Sequence, residues 1–550
     1  MGTERVDIEA DYVVVGAGSA GCAVAARLSE DPGVTVALVE AGPADDAPMM
    51  DVPLAAGRFL GSAYDWGFHS DPEPGLDGRV LALGHGRVLG GSSSINSMVY
   101  LRGAPADYDG WARSGADGWS YADVLPYFLR AEDNDRGAGP LHGVGGPVAV
   151  SDSRAPHPLT AAFLRAAQQA GYRLLDDLNG PDQDGVGYAQ ATQRDGLRCS
   201  AATGYLRPIA GRPNLTLVLE TPVTALLLDG TRAVGVVGRR HGVPTRIRAG
   251  REVLLAAGAY HSPQLLMLAG IGPAEHLRQL GIPVVSDLPV GDGLQDHLRL
   301  AVSWPARLAS LRAELTAEER TAYERHGTLP PMAHAGESAG FIRSAPHLPA
   351  PDFHVAGVPC AIGGMLASAG GGLALAGWTT RPTSTGLLRL RSRDPGEQPA
   401  IRHGHLRTAE DRRSAVDGVV RMLEIADRPA LRDVIAGAPL DGPAGRDPDS
   451  VLAWVRRTGV SMHHPCGTCA IGSVVDPELR VAGVAGLRVV DASVIPRIPG
   501  ANTNATAIMI GERAADLVRG QRRPTARRDV SAAAVSGPVT GDEMPVTDLA

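Results

Sequence analysis

The sequence predicts an α/β fold, with α+β character overall, organised on a βαβ unit near the start of the chain. Three observations carry that prediction. Tyr12-Val13-Val14-Val15 is an apolar run of the kind that forms a parallel strand buried on both faces. Gly16-Ala17-Gly18-Ser19-Ala20-Gly21 follows directly and leads into residues 22–30, where Ala23, Ala26 and Leu28 fall at helical spacing. A second strand-like run, residues 34–39, ends on Glu40. Strand, glycine turn, helix, strand and acid are the parts that hold a dinucleotide. Gly16 permits the tight turn, Gly18 lets backbone approach a pyrophosphate, and Gly21 lets helix pack on strand. The helix N-terminus faces the pyrophosphate and Glu40 accepts a ribose hydroxyl. Gly16, Gly18, Ser19, Ala20, Gly21 and Glu40 are therefore cofactor-binding candidates. The fingerprint serves NAD and FAD alike, so other segments must separate them.

Composition narrows the function classes. A chain of 550 residues with 44% hydrophobic and 20% charged content is a soluble globular protein with a sizeable core. A net charge of −8 gives no electrostatic footprint for nucleic acid. Every basic residue is arginine, which excludes lysine Schiff-base chemistry and fits a GC-rich genome. Five cysteines, an odd and sparse set, do not read as a secreted disulfide framework. No apolar stretch is long enough to span a bilayer, and the first apolar run reads as a core strand instead of a signal peptide. These features predict a cytoplasmic enzyme.

Further elements follow in order. Residues 43–83 are rich in Pro, Gly and Asp and read as an extended connection. Residues 116–132 read as a turn entering a short helix, and 158–170 as an amphipathic helix. Residues 215–219, 223–228 and 233–237 are short β runs at meander spacing. Residues 253–257 form another strand. Ser262 suits an N-cap and Pro263 the first helical position of the helix that follows. Residues 386–390 and 400–401 read as strands, and 409–426 and 450–458 as helices. A last strand at 487–490 and a last helix at 505–518 precede a polar tail that reads as disordered.

Three further segments give the chain its type. The first is Gly86-Arg87-Val88-Leu89-Gly90-Gly91-Ser92-Ser93-Ser94-Ile95-Asn96, continuing to Gly103. The second runs from Gly258-Ala259-Tyr260-His261-Ser262-Pro263 to Gly270-Ile271-Gly272-Pro273. The third is His464-Pro465-Cys466-Gly467-Thr468, followed by Asp491-Ala492-Ser493 and Asn502-Thr503-Asn504. With the N-terminal glycines and Leu294-Gln295-Asp296-His297, these segments closely resemble the glucose–methanol–choline (GMC) family of FAD-dependent oxidoreductases. The resemblance runs from about residue 10 to 520. It implies a Rossmann-like FAD-binding domain assembled from residues 8–150, 215–299 and 462–520. It also implies a substrate domain, 151–214 and 300–461, on a largely antiparallel sheet. The tail is 521–550.

The resemblance further implies oxidation of an alcohol by a histidine base and a second His or Asn at the flavin. His464 matches the histidine and Asn504 its partner, with Asn502 as the alternative. A neutral imidazole can take the hydroxyl proton, so the rate of flavin reduction should rise with pH as His464 becomes neutral. A side-chain amide can bond the developing alkoxide. Arg87, Gly90, Gly91, Ser92, Asn96, Val223, Thr468, Asp491 and Ala492 match positions beside the cofactor. His463, His261, Gln264 and Asp296 read as structural.

Departures from the family pattern matter at one place for the cofactor. Ile95 stands where some relatives carry a histidine bonded covalently to the flavin, so non-covalent FAD is expected. Cys466 and Cys469 form a C-x-x-C that admits a flavin-linked dithiol reading; no resident metal is expected. A small-molecule alcohol is the expected substrate, with oxygen or another electron acceptor. The resemblance and the composition together suggest an amino sugar of secondary metabolism, such as antibiotic biosynthesis. A choline-type or aliphatic alcohol, or a hydroxynitrile-lyase-like reaction without net redox, are the alternatives. Oligomeric state is not set by the sequence.

Overall fold

The computed structural model describes residues 6–47, 49–311, 315–326, 334, 336–348, 350–363, 366–367 and 371–521. The expected disordered tail lies, from residue 522, outside the described residues.

Two sheets organise the molecule. In the first, the strand Val6–Val15 lies between Val36–Val39 and Val243–Leu255 and runs parallel to both. Leu215–Val218 extends the sheet beyond Val36–Val39, also in parallel. The strand Val243–Leu255 is long enough to take two further partners along one edge. Its first half pairs antiparallel with Arg232–Arg240, which pairs in turn with Val223–Asp229. Its last residues pair in parallel with Leu487–Val489. Val13, Val14, Leu38, Val253 and Leu254 are fully buried, as expected of parallel strands covered on both faces.

Two details differ from the sequence reading. Residues 215–218 do not join the 223–237 meander but lie on the far edge of the sheet. Their apolar pattern fits either edge, and only the tertiary pairing decides. The helix after Val243–Leu255 spans Gly258–Leu268 and begins a turn before Ser262. Ser262 is therefore not the cap; its hydroxyl donates to Asp491. Pro263 sits inside the helix and cannot donate to the carbonyl of Ala259. The Thr468 hydroxyl takes that carbonyl instead, at 2.7 Å.

The second sheet is wholly antiparallel. Its six strands are ordered Val460–Ser461, Leu298–Trp304, Leu373–Thr379, Phe353–Val358, Ser338–Ile342 and Gly185–Tyr188. One face packs on the helix Ala409–Ala426. The approach is close: a Cβ on Gly418 would stand 2.2 Å from the Phe353 ring. The other face looks across a cavity toward the ends of the parallel strands.

The first and last helices of the described chain lock together beside that cavity. Gly511 of Asn504–Val518 packs on Ser19–Leu28, where a Cβ would meet the Ala20 carbonyl oxygen at 2.4 Å. The buried Glu512 carboxylate receives Arg27, Arg130 and the Tyr205 hydroxyl. Among the described residues no helix is long and apolar enough to cross a membrane.

Candidate active site

A cavity of about 1580 Å³ lies between the two sheets. That exceeds the roughly 300–1,000 Å³ of ordinary small-ligand pockets and suits a dinucleotide together with a substrate. Its first wall is the glycine turn. Gly16 has φ +101°, and a Cβ there would meet the Ala256 carbonyl oxygen at 2.4 Å. Gly18 differs: a Cβ on it would touch no protein atom within 4 Å. It faces the cavity as the uncapped N-terminus of Ser19–Leu28, with backbone N–H groups free for an anion. Gly21 lies behind the wall, where a Cβ would stand 1.9 Å from the Gly16 carbonyl oxygen.

Glu40 lies at the end of Val36–Val39 and lines the cavity. Its Oε2 accepts the Ala17 N–H at 2.9 Å and its Oε1 the Gly42 N–H at 2.8 Å. Burial pushes its pKa up to about 6 against the pull of these donors. Each oxygen keeps a lone pair for a ribose hydroxyl. These features fit the adenosine and pyrophosphate portions of FAD.

The first of the three segments folds over this turn. Gly91 has φ +56° and packs on Gly18. Gly91, Ser92, Ile95 and Asn96 line the cavity, as do Ser19, Ala20, Val223, Asp491 and Ala492. Asn96 is fixed by the buried Arg198 guanidinium at 2.8 Å. Four expected cofactor residues sit behind the wall instead. Gly21 serves helix packing and Thr468 the Ala259 carbonyl. Gly90 donates its N–H to Ala17, and Arg87 lies over the Trp66 ring.

The far wall carries the histidines. Residues 295–299 and 460–466 run antiparallel: Gln295 bridges to Cys466, Leu298 pairs with Ser461, and the Met462 N–H donates to the His297 carbonyl. Asp296 clasps the second stretch. Its Oδ1 accepts the His464 N–H at 2.9 Å and its Oδ2 the Ser461 hydroxyl at 2.5 Å. His463, at φ +62°, makes the turn that sends the two adjacent histidine rings apart. Both line the cavity.

This pairing brings His464 against His297, with 3.0 Å between their Nδ1 atoms. His297 Nε2 lies 3.0 Å from the Thr380 carbonyl oxygen. A carbonyl only accepts, so His297 carries its proton on Nε2 and, when neutral, accepts at Nδ1. His464 must then donate from Nδ1, which leaves a lone pair on Nε2. Burial, reinforced by the neighbouring His297, holds the His464 pKa well below the usual histidine value. The ring is neutral at neutral pH with its basic nitrogen toward the cavity.

The structure places Asn502, not Asn504, at that nitrogen. Asn502 Nδ2 is 3.1 Å from His464 Nε2, and its Oδ1 is buried without a partner. Asn504 begins the last helix, lines the cavity, and accepts the Ser19 hydroxyl at 2.6 Å. It joins the two helices that meet at Gly511. The sequence alone does not order two asparagines two residues apart, because the helix start that separates them is a tertiary docking event.

The thiols of Cys466 and Cys469 are fully buried and unpaired, and neither lines the cavity. Burial pushes both thiols far above their usual pKa. Thiolate chemistry is suppressed there, which argues against the dithiol reading. Asp296, His403 and His405 form the group closest to a metal-ligand set among the described residues. Two of the three are already engaged: Asp296 by Ser461, and His403 Nε2 by the Tyr260 hydroxyl at 2.8 Å.

Comparison with known proteins agrees with this architecture. The N- and C-terminal profiles of the GMC oxidoreductase family match residues 10–299 and 382–511. The chain is 42% identical over 546 residues to a protein named choline dehydrogenase, mitochondrial, of Homo sapiens, covering 94% of this chain and 91% of that one. It is also 42% identical to an oxygen-dependent choline dehydrogenase of Brucella ovis, covering 94% and 97%. Among solved structures, pyridoxine 4-oxidase from Mesorbium loti superposes with TM-score 0.85 at 31% identity, over 93% of this chain and 100% of that one. A formate oxidase of Aspergillus oryzae RIB40 gives 0.87 at 26% identity, over 94% and 99%. The chain belongs to the GMC oxidoreductase family, FAD-dependent enzymes that act on CH–OH donors.

Proposed function

We propose that this enzyme oxidises a primary alcohol to the aldehyde, with His464 as the base and Asn502 as its partner. The observation that carries the reading is the chain from the Thr380 carbonyl through His297 to His464, which ends in an unprotonated Nε2 that accepts the Asn502 Nδ2–H at 3.1 Å on the cavity wall. The bound flavin supplies the acceptor for the hydride that leaves the alcohol carbon. His464 Nε2 takes the hydroxyl proton, and its Nδ1–H stays bonded to His297 Nδ1. The Asn502 amide donates to the alcohol oxygen as negative charge develops there. FAD is held without a covalent bond: Ile95 lines the cavity and has no nucleophile. Retention rests on Gly18, the helix N-terminus and Glu40. The electrons pass to oxygen or another carrier, and the reaction is assigned to the cytoplasm.

The relatives' names favour a choline-type substrate. They give no support to the amino sugar expected from the sequence. A lyase without net redox is separated by a simple observation, since it leaves the flavin oxidised when substrate is added without oxygen.

Flavin reduction in anaerobic stopped flow tests the roles. His464→Ala should slow reduction by ~10²–10⁴-fold, the usual contribution of a general base. Asn502→Ala should slow reduction more than it weakens substrate binding. Asn504→Ala should act chiefly on stability. A larger kinetic loss in Asn504→Ala than in Asn502→Ala would reverse the assignment. The pH dependence also differs from that of an exposed histidine. The folded pKa of His464 is depressed, so the basic form is complete before pH reaches the usual histidine value near 6.5. Reduction should be flat at neutral and alkaline pH and fall only on the acid side, so the rise expected as His464 becomes neutral lies below the usual histidine range.

His297 is a positioning residue. His297→Leu removes the acceptor for His464 Nδ1–H and frees the other tautomer. His297→Gln restores an acceptor through its amide oxygen. Reduction should drop at least tenfold in the first variant and recover in part in the second, at equal FAD content. Equal rates in the two would show that the contact is packing alone.

Gly18→Val tests the cofactor wall. A Cβ there meets no protein atom within 4 Å, so a branched side chain would project into the cavity where the pyrophosphate is expected. The variant should purify folded and colourless; full FAD content would contradict the placement.

A further inference from the structure

We propose that His354 positions the substrate by hydrogen-bonding a second, uncharged hydroxyl on it, so that the chamber selects alcohols of the diol class. The inference rests on the alcohol-oxidation reading above and names the substrate class of the same cavity.

The place of His354 follows from strand register. It pairs with Phe341 of Ser338–Ile342 on one side and with Trp378 of Leu373–Thr379 on the other. Residues directly opposite one another share a face of a sheet, so the three rings form one row. Phe353, one residue earlier, points the other way and packs on the helix Ala409–Ala426 at Gly418. The row therefore looks toward the cavity, and His354 and Trp378 both line it.

The row reaches the base. The His354 ring stacks on Trp378 with 3.7 Å between centroids and 9° between planes. The Phe341 ring meets His354 edge-on at 5.3 Å. Trp378 in turn lies 5.9 Å from the His464 ring and 5.7 Å from the His297 ring, centroid to centroid. His354 is thus one ring removed from the nitrogen that takes the hydroxyl proton. A short chain that begins at His464 Nε2 and runs along Trp378 brings its far end to His354.

Packing alone does not account for the residue types. Stacking on Trp378 needs only an aromatic ring, which phenylalanine would supply without polar atoms. Instead, both nitrogens of the buried His354 ring and Nε1 of Trp378 have no hydrogen-bond partner among the described residues. Buried polar groups are nearly always paired, and an unmet one costs stability. Three of them on two stacked rings at a cavity wall mark a place where the partner comes from outside the chain. Burial brings the His354 pKa down to about 3, so the ring is neutral in the working pH range. A neutral imidazole offers one N–H and one lone pair, and here no neighbour fixes which nitrogen holds the proton. Trp378 Nε1 can only donate. A hydroxyl accepts as well as donates, so it can serve either ring, and with both rings neutral it needs no charge. A methyl group in its place serves neither. A site built around a substrate hydroxyl rejects the analogue that lacks it more strongly than an apolar pocket rejects a missing methylene.

Anaerobic flavin reduction of the FAD-loaded enzyme tests this with straight-chain terminal diols, from ethylene glycol to pentanediol. Each is compared with the primary alkanol in which a methyl group replaces the second hydroxyl. At one chain length the diol should exceed its alkanol at least tenfold in reduction efficiency, well beyond the factor that two equivalent ends supply. His354→Phe keeps a ring on Trp378 and removes both nitrogens; it should shrink that ratio severalfold at equal FAD content. His354→Gln, which restores a donor and an acceptor, should recover part of it. An unchanged ratio in His354→Phe, with diol and alkanol falling together, would reduce the residue to packing and overturn the proposal. Should both variants fail to fold, the wild-type enzyme decides: alkanols that match or surpass their diols at every chain length overturn the selectivity while leaving alcohol oxidation in place. An enzyme that no alcohol reduces would overturn both readings.

Discussion

A backbone carbonyl cannot donate a proton, and the hydrogen-bond pattern of this site depends on that constraint at Thr380. Its oxygen fixes the proton of His297 on Nε2, and the direction of each later bond follows. A base must present a lone pair to its substrate, and a neutral imidazole has only one to present. Without the contact to His297, both tautomers of His464 would be open, and one of them offers the cavity an N–H. Burial supplies the second requirement, because a low dielectric disfavours the imidazolium before substrate arrives. Tautomer and charge state are thus set by different means: one by hydrogen-bond direction, the other by desolvation.

The constraint holds only because distant chain segments meet. The strand pairing of Leu298–Trp304 with Val460–Ser461 brings His297 to His464. Asp296, buried and ionised, fixes the loop by taking the Ser461 hydroxyl and the His464 N–H. Burial opposes its ionisation, but these donors and the nearby histidines hold its pKa below the usual carboxylate range. Asn502 arrives from a third direction, ahead of a helix seated on Ser19–Leu28 through Gly511 and Glu512. The glycine turn on the cavity wall thereby also locates Asn502 beside His464.

Much of this was legible in the sequence where the chemistry is local. The βαβ unit reads directly, because turn, helix start and acid lie within one short stretch and each glycine has its own steric reason. Gly16 and Gly21 avoid collisions with backbone, whereas Gly18 is open, and only the structure separates those reasons. His464 was legible from its motif. Asn502 is not separable from Asn504 by sequence, and nothing in Gln295-Asp296-His297, which stands before an apolar strand, singles out His297. The resemblance places Thr468 and Arg87 at the cofactor, yet each is engaged elsewhere. The missing information is long-range in every case: which carbonyl a proline leaves free, or which strand edge a run selects. Family resemblance reaches the reaction type.

The site turns on the protonation pattern of one ring, and nitrogen NMR reads it directly. Histidine-labelled holoenzyme at neutral pH should show one signal set, absent from His464→Gln, with Nδ1 protonated and Nε2 bare. It should persist as the pH is lowered toward the usual histidine value. His464 protonated at Nε2, or an imidazolium at pH 7, would contradict the account.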